Sequence, residues 1–135
     1  MSDSLISKIC DVNCEHRDLL VDELNDEIEN GYFKAEEIRS ITMNLLRVLP
    51  SETDETVHES VLNLLSSIYT SSICVSEIER YVIDHIQEMK PGSLVHAFSI
   101  LSESNLKERK AIFFKFSRSE NVAIQELTID YLSKM

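Results

Sequence analysis

The sequence predicts an all-α protein, and three observations carry that expectation. Glycine and proline occur only twice each in 135 residues, against usual frequencies of roughly 7% and 5%. Few tight turns and few positive-φ positions can be built from so few of them, and all-β folds need many. Apolar residues recur at helical spacing along nearly the whole chain. The intervening segments are short, about two to six residues, which makes neighbouring helices antiparallel. At this length the chain forms one domain, residues 1–135, large enough to bury a sizeable core.

The helices follow in order. Leu5, Ile9 and Val12 mark a short first one, and Leu20, Leu24 and Ile28 a second, stopped by Asn30-Gly31, a C-cap pair. Ile38, Ile41, Leu45 and Val48 mark a third, ended by Pro50. Val57, Val61, Leu64, Leu65 and Ile68 give a strongly amphipathic fourth. Ile78, Val82, Ile86 and Met89 form a fifth, stopped by Pro91-Gly92. Leu94, Phe98 and Leu101 give a sixth, Ile112, Phe113 and Phe116 a seventh, and Leu127, Tyr131 and Leu132 an eighth. Ser76-x-x-Glu79 and Ser117-x-x-Glu120 have the form of capping boxes, as does Asn105-x-x-Glu108. Ser51 precedes Glu52, Asp54 and Glu55, acids that suit the positive end of a helix dipole.

About eight short helices joined this way give a compact bundle or a stack of helical hairpins. Val57, Leu62, Leu64 and Leu65 correspond to Ile124, Ile129, Tyr131 and Leu132, and the segment SEN-VAIQELTIDYLSK resembles the second half of a HEAT or armadillo repeat. The resemblance covers roughly residues 35 to 135 at a period near the expected 40. The Pro and Arg of well-formed HEAT repeats do not recur at consistent positions, so a general bundle stays open. Such a resemblance implies a binding scaffold without chemistry of its own.

Charge is distributed unevenly. The formal net charge is −11, and the first 59 residues, with 15 Asp and Glu against five Lys and Arg, account for −10 of it. Glu15, Asp18, Asp22, Asp26 and Glu29 are spaced i, i+3, i+7, i+11, i+14, which places five carboxylates in one stripe of the second helix. Glu55 and Glu59 extend the patch if hairpins stack side by side, as do Glu36, Glu37, Glu52 and Asp54. A solvated, solubilising face explains such a stripe as well as a docking surface for a basic partner does. Glu15, Asp18, Asp22, Asp26, Glu29, Glu55 and Glu59 are the candidate partner-binding residues.

Other constellations fall short of a chemical site. Residues 26–37, DEIENGYFKAEE, resemble a calcium-binding EF-hand loop at Asp26, Asn30, Gly31, Phe33 and Glu37, but Ile28 and Lys34 occupy ligand positions. Glu55-x-x-His58 has the spacing of di-iron bundles without the second copy, so His58 is expected as a polar surface residue. Cys10, Cys14 and His16 lack a second pair for zinc, and small buried hydrophobes account for the cysteines. Lys107, Arg109, Lys110, Lys115 and Arg118 surround Phe113, Phe114 and Phe116, a mixture that can bind nucleic acid. The net charge opposes phosphate, and the phenylalanines suit a core face. With glycine only at 31 and 92 there is no phosphate-cradling loop or nucleophile elbow.

No catalytic residues, cofactor, metal or nucleic-acid partner are therefore expected. No apolar run approaches a membrane span. The start Met1-Ser2-Asp3-Ser4 lacks the positive and apolar regions of a secretory leader, and the odd cysteine count suits reduced thiols, so a cytoplasmic location is expected. Small, acidic and helical, the chain is similar in size, charge and class to the immunity proteins that neutralise bacterial toxins. That likeness implies occlusion of a basic toxin such as a nuclease. The alternatives are an adaptor holding an amphipathic peptide and a calcium-responsive helical protein.

Overall fold

The structure is a computed structural model; it describes residues 2–135, with side chains from Leu5 onward. Among the described residues it contains eight α-helices, two 3-10 turns and no strand. The helices are α1 (Ser2–Ile9), α2 (Arg17–Glu29), α3 (Ala35–Val48), α4 (Glu55–Thr70), α5 (Val75–His85), α6 (Pro91–Glu103), α7 (Arg109–Phe116) and α8 (Val122–Ser133). The 3-10 turns Leu49–Ser51 and Ile86–Glu88 follow α3 and α5.

Helix α4 is the centre of the molecule. It packs most extensively on α6 and α2, and also touches α3 and α5. Because α6 in turn meets α8, the even-numbered helices form a row, α2–α4–α6–α8. The odd helices flank it: α1 packs on α2 and α3, and α7 on α6 and α8. The cause lies in the α4 sequence. Val57, Val61, Leu62, Leu64, Leu65, Ile68 and Tyr69 are all buried, a stripe wide enough to serve neighbours on both sides. Thr56, Glu59, Ser60, Asn63, Ser67 and Thr70 occupy the remaining side and stay at least partly exposed.

The expected match between α4 and α8 holds at one position and fails at another. Val57 and Ile124 are both buried, but Leu62 is fully buried while Ile129 is 51% exposed. Helix α4 has a row neighbour on each side; α8 packs on α6 within the row and on α7 beside it. The C-terminal core is aromatic. Phe98 of α6 meets Phe113 and Phe116 of α7 at ring-centroid distances of 5.5 and 5.2 Å, and Phe113 stacks on Tyr131 of α8 at 5.0 Å. Phe113 and Phe116 of the basic helix therefore face the core, as their spacing predicts. Phe114 is exposed, with the Arg118 guanidinium 4.9 Å from its ring centroid.

Several expected boundaries move. Ser76 lies inside α5, which starts after Cys74 in a left-handed conformation (φ 52°). Glu79 accepts the Tyr69 hydroxyl at 2.6 Å and caps nothing. Ser117 ends α7, where its hydroxyl donates to the Phe114 carbonyl. The start of α8 is capped by Asn121, whose Oδ1 accepts from Ile124 N–H, and that of α4 by Asp54, which accepts from Thr56 and Val57. Asn105 lies four residues before α7, so it is not its cap. Pro91-Gly92 opens α6 instead of closing α5, since proline has no N–H to lose at a first helical position.

Candidate functional site: a polar groove across α2, α4 and α6

Side chains of three row helices meet in one open groove of about 310 Å³. Helix α2 contributes Asp18 and Asp22, α4 contributes Thr56, Glu59, Ser60 and Asn63, and α6 contributes His96. Local sequence explains the convergence. Asp18, Asp22 and Glu29 share one edge of α2, beside the buried Val21 and Leu24, so packing that core edge onto α4 brings them toward its polar side. Short serine, threonine and asparagine side chains on α4 leave space there. Farther along the same junction, Ser67 donates to Glu29 at 3.3 Å, and Thr70 donates to Glu103 of α6 at 3.3 Å.

Glu59 is held over the first turn of α6. A Cβ on Gly92 would lie 2.5 Å from Glu59 Oε2 and 2.8 Å from its carboxyl carbon. Glycine thus lets a carboxylate approach the positive end of the helix dipole. Burial lowers the pKa of His96 below its ordinary 6.5, while the Glu59 charge pulls it back up. No lysine or arginine forms an ion pair with Asp18, Asp22, Asp26, Glu29 or Glu59 among the described residues, where the ion pairs are Arg17–Glu52 and Lys134–Asp130.

The predicted stripe is therefore only partly assembled. Asp18, Asp22 and Glu59 converge, and Glu29 lies on the same seam. Asp26 is exposed on α2 but does not line the groove. Glu15 precedes the helix: His16 adopts a left-handed conformation (φ 58°) and α2 begins at Arg17, so the i, i+3 step from Glu15 to Asp18 is not helical. Glu55 lines a different cavity, and Glu52 faces Arg17. Sequence reasoning missed Thr56, Ser60, Asn63 and His96. The polar positions 56, 60, 63, 67 and 70 at helical spacing on α4 were the available sign.

Glu52 behaves oppositely to the groove acids. Arg17 Nη1 and Nη2 donate to its two oxygens at 2.6 and 3.0 Å, and Nη1 also donates to the Ile9 carbonyl at the end of α1. Both side chains are below 10% exposed. Burial alone would raise the Glu52 carboxyl, but the Arg17 fork, the Asp54 N–H and the Arg17 charge outweigh it and hold it below its ordinary 4.5.

A second polar cluster lies at the junction of α4, α5 and α6, lining a cavity of about 220 Å³. His58 Nδ1 is 2.7 Å from Ser93 Oγ, and its Nε2 is 3.2 Å from the Tyr81 hydroxyl. Tyr81 stacks on His85 at 4.5 Å. His58 is thus half-buried and bonded at both nitrogens, contrary to its expected place on the surface. Burial lowers its pKa, with Glu52 opposing and His85 adding to the shift. Burial, then the Glu88 charge, pushes Tyr81 up to about 12.

The remaining candidates stay apart. The EF-hand-like segment is a helix end, a turn with Gly31 at φ 78°, and the start of α3, where Glu37 accepts from Lys34 N–H at 3.1 Å to cap that helix. No group of three His, Cys, Asp or Glu side chains is placed to hold a metal ion among the described residues. Cys10 and Cys14 are half-buried free thiols and Cys74 is a buried one; burial raises the Cys10 thiol above its ordinary range. No described helix is long and apolar enough to cross a membrane. No family model, curated protein or solved structure matches this chain.

Proposed function

We propose that the protein is a non-catalytic, acidic interaction module that docks a basic protein over the α2–α4–α6 face. The observation that carries this reading is the convergence of Asp18, Asp22 and Glu59 around one open groove with no cation paired to them among the described residues. Carboxylates brought together from separate helices repel one another, and a cationic partner relieves that repulsion while being steered toward it. An inhibitor of a basic toxin, such as a nuclease, fits this chemistry: it covers a phosphate-binding groove with carboxylates. The row of side-by-side helices suits a scaffold that presents a broad face.

The test compares immobilised wild type with the Asp18→Lys/Asp22→Lys/Glu59→Lys variant on lysate from the native source. A basic protein is expected to be retained by wild type, released by salt and lost by the variant. Once purified, its activity should be inhibited at stoichiometric wild-type protein. Retention unaffected by the charge reversals, or by salt, would overturn the docking face. A retained basic partner whose activity persists when bound would leave docking standing and overturn inhibition.

A further inference from the structure

Helices α3 and α5 both pack on α4 but make little direct contact with each other. The trough between them has a volume of about 410 Å³ and an apolar floor of Met43, Leu46, Pro50 and Tyr81. Met43 is 46% exposed, and its place beside Leu46, Pro50 and Tyr81 makes it part of one contiguous apolar surface instead of an isolated exposed side chain. The trough runs into the cavity beside His58: the two share Pro50, Tyr81 and His85, and Met89 continues the apolar surface. Where they join, Tyr81 is bonded to His58 and stacked on His85.

The rim is acidic on balance. Glu77 and Asp84 border the trough with Arg80, and Glu55 and Glu88 border the adjoining cavity with Lys90. None of these four acids is in an ion pair with Lys or Arg among the described residues. We propose that the α3–α5 trough is a second docking surface, and that its occupant is an amphipathic helical segment with an apolar stripe flanked by lysine or arginine. The apolar stripe covers Met43, Leu46 and Pro50, and the flanking cations meet Asp84, Glu88 and Glu55. Recognition must run through side chains, since no strand among the described residues offers a free backbone edge. This surface is made of different residues from the Asp18–Asp22–Glu59 groove and stands or falls separately from it.

The experiment is fluorescence anisotropy with a labelled synthetic Leu/Lys amphipathic helix, and its Leu/Glu counterpart as control. The Leu/Lys helix is expected to bind wild type and the Asp22→Lys/Glu59→Lys variant alike. Met43→Glu and Asp84→Lys, both at exposed positions that leave the core intact, are each expected to weaken binding by roughly tenfold or more. Four results would overturn the proposal: no binding of the Leu/Lys helix, equal binding of the Leu/Glu helix, indifference to Met43→Glu and Asp84→Lys, or loss of binding in the Asp22→Lys/Glu59→Lys variant. Circular dichroism of each variant separates lost binding from lost folding. Should either single variant unfold, Leu46→Met with Asp84→Asn supplies a milder pair. That pair is expected to weaken the Leu/Lys helix less steeply, and unchanged binding there would overturn the proposal.

Discussion

Glu52 and Glu59 lie seven residues apart, at the approach to and within the same helix, and they do opposite work. The Glu52 side chain is largely covered, gripped by both arms of Arg17, and joins the start of α4 to the end of α1 and the start of α2. Glu59 is exposed, lies over Gly92, and has Asp18, Asp22 and His96 around the same groove. An acid-rich sequence therefore divides into carboxylates that hold the fold and carboxylates that leave a field in solvent. Burial and the presence of a guanidinium decide which is which.

Four changes sharpen that division, from the largest effect to the smallest. Arg17→Ala leaves a part-buried carboxylate without its partner and should cost about 2–3 kcal/mol in chemical denaturation. Replacing both partners by apolar residues, Arg17→Met with Glu52→Leu, should recover much of that loss; if it does not, the pair contributes more than compensation of its own burial. The second change is in pH. Burial lowers His58 and His96 below 6.5, so the unfolded chain binds more protons than the folded one as pH falls from about 7 toward 5. Their contribution to stability is complete above 6.5 and declines below it. His58→Gln should flatten part of that slope, read from denaturation midpoints across the range. Glu52 adds a further loss below its ordinary 4.5.

The third is Gly92→Ala. The nearest atoms to the new methyl are all at the flexible end of Glu59, so stability should move by less than about 1 kcal/mol while the carboxylate is displaced from the groove. A large loss would mean that Glu59 is anchored as firmly as Glu52. The smallest expected effect on stability is that of Asp22→Lys with Glu59→Lys, within about 0.5 kcal/mol of wild type. These exposed acids are paired with no Lys or Arg among the described residues, so a marked destabilisation would place them with the structural carboxylates.

The helices were legible in the sequence because period-3.6 apolar spacing is a property of each segment alone. The core stripe on α4 was legible for the same reason. Helix starts were less so: capping depends on which residue holds a non-helical backbone, and Asn121 and Asp54 won over Ser117 and Ser51 through loop geometry. The acidic stripe was half legible. Spacing placed Asp18, Asp22 and Glu29 on one edge, but only tertiary packing could add Glu59 and His96 or hide Glu52 behind Arg17. The His58–Ser93–Tyr81 cluster was beyond reach, since its members lie 35 and 23 residues apart on three helices with no shared spacing.

The division of carboxylates is tested most directly by mapping the near-surface potential, amide by amide, from nuclear magnetic relaxation induced by cationic and anionic spin probes of the same shape. The strongest excess of the cationic probe is expected along α2 from Asp18 to Glu29 and around Glu59 and His96, with a smaller one beside Glu52, where Arg17 offsets the charge, and it should fall around Asp22 and Glu59 in the Asp22→Lys/Glu59→Lys protein. An even excess over the whole surface, or a maximum elsewhere that survives those substitutions, would contradict it.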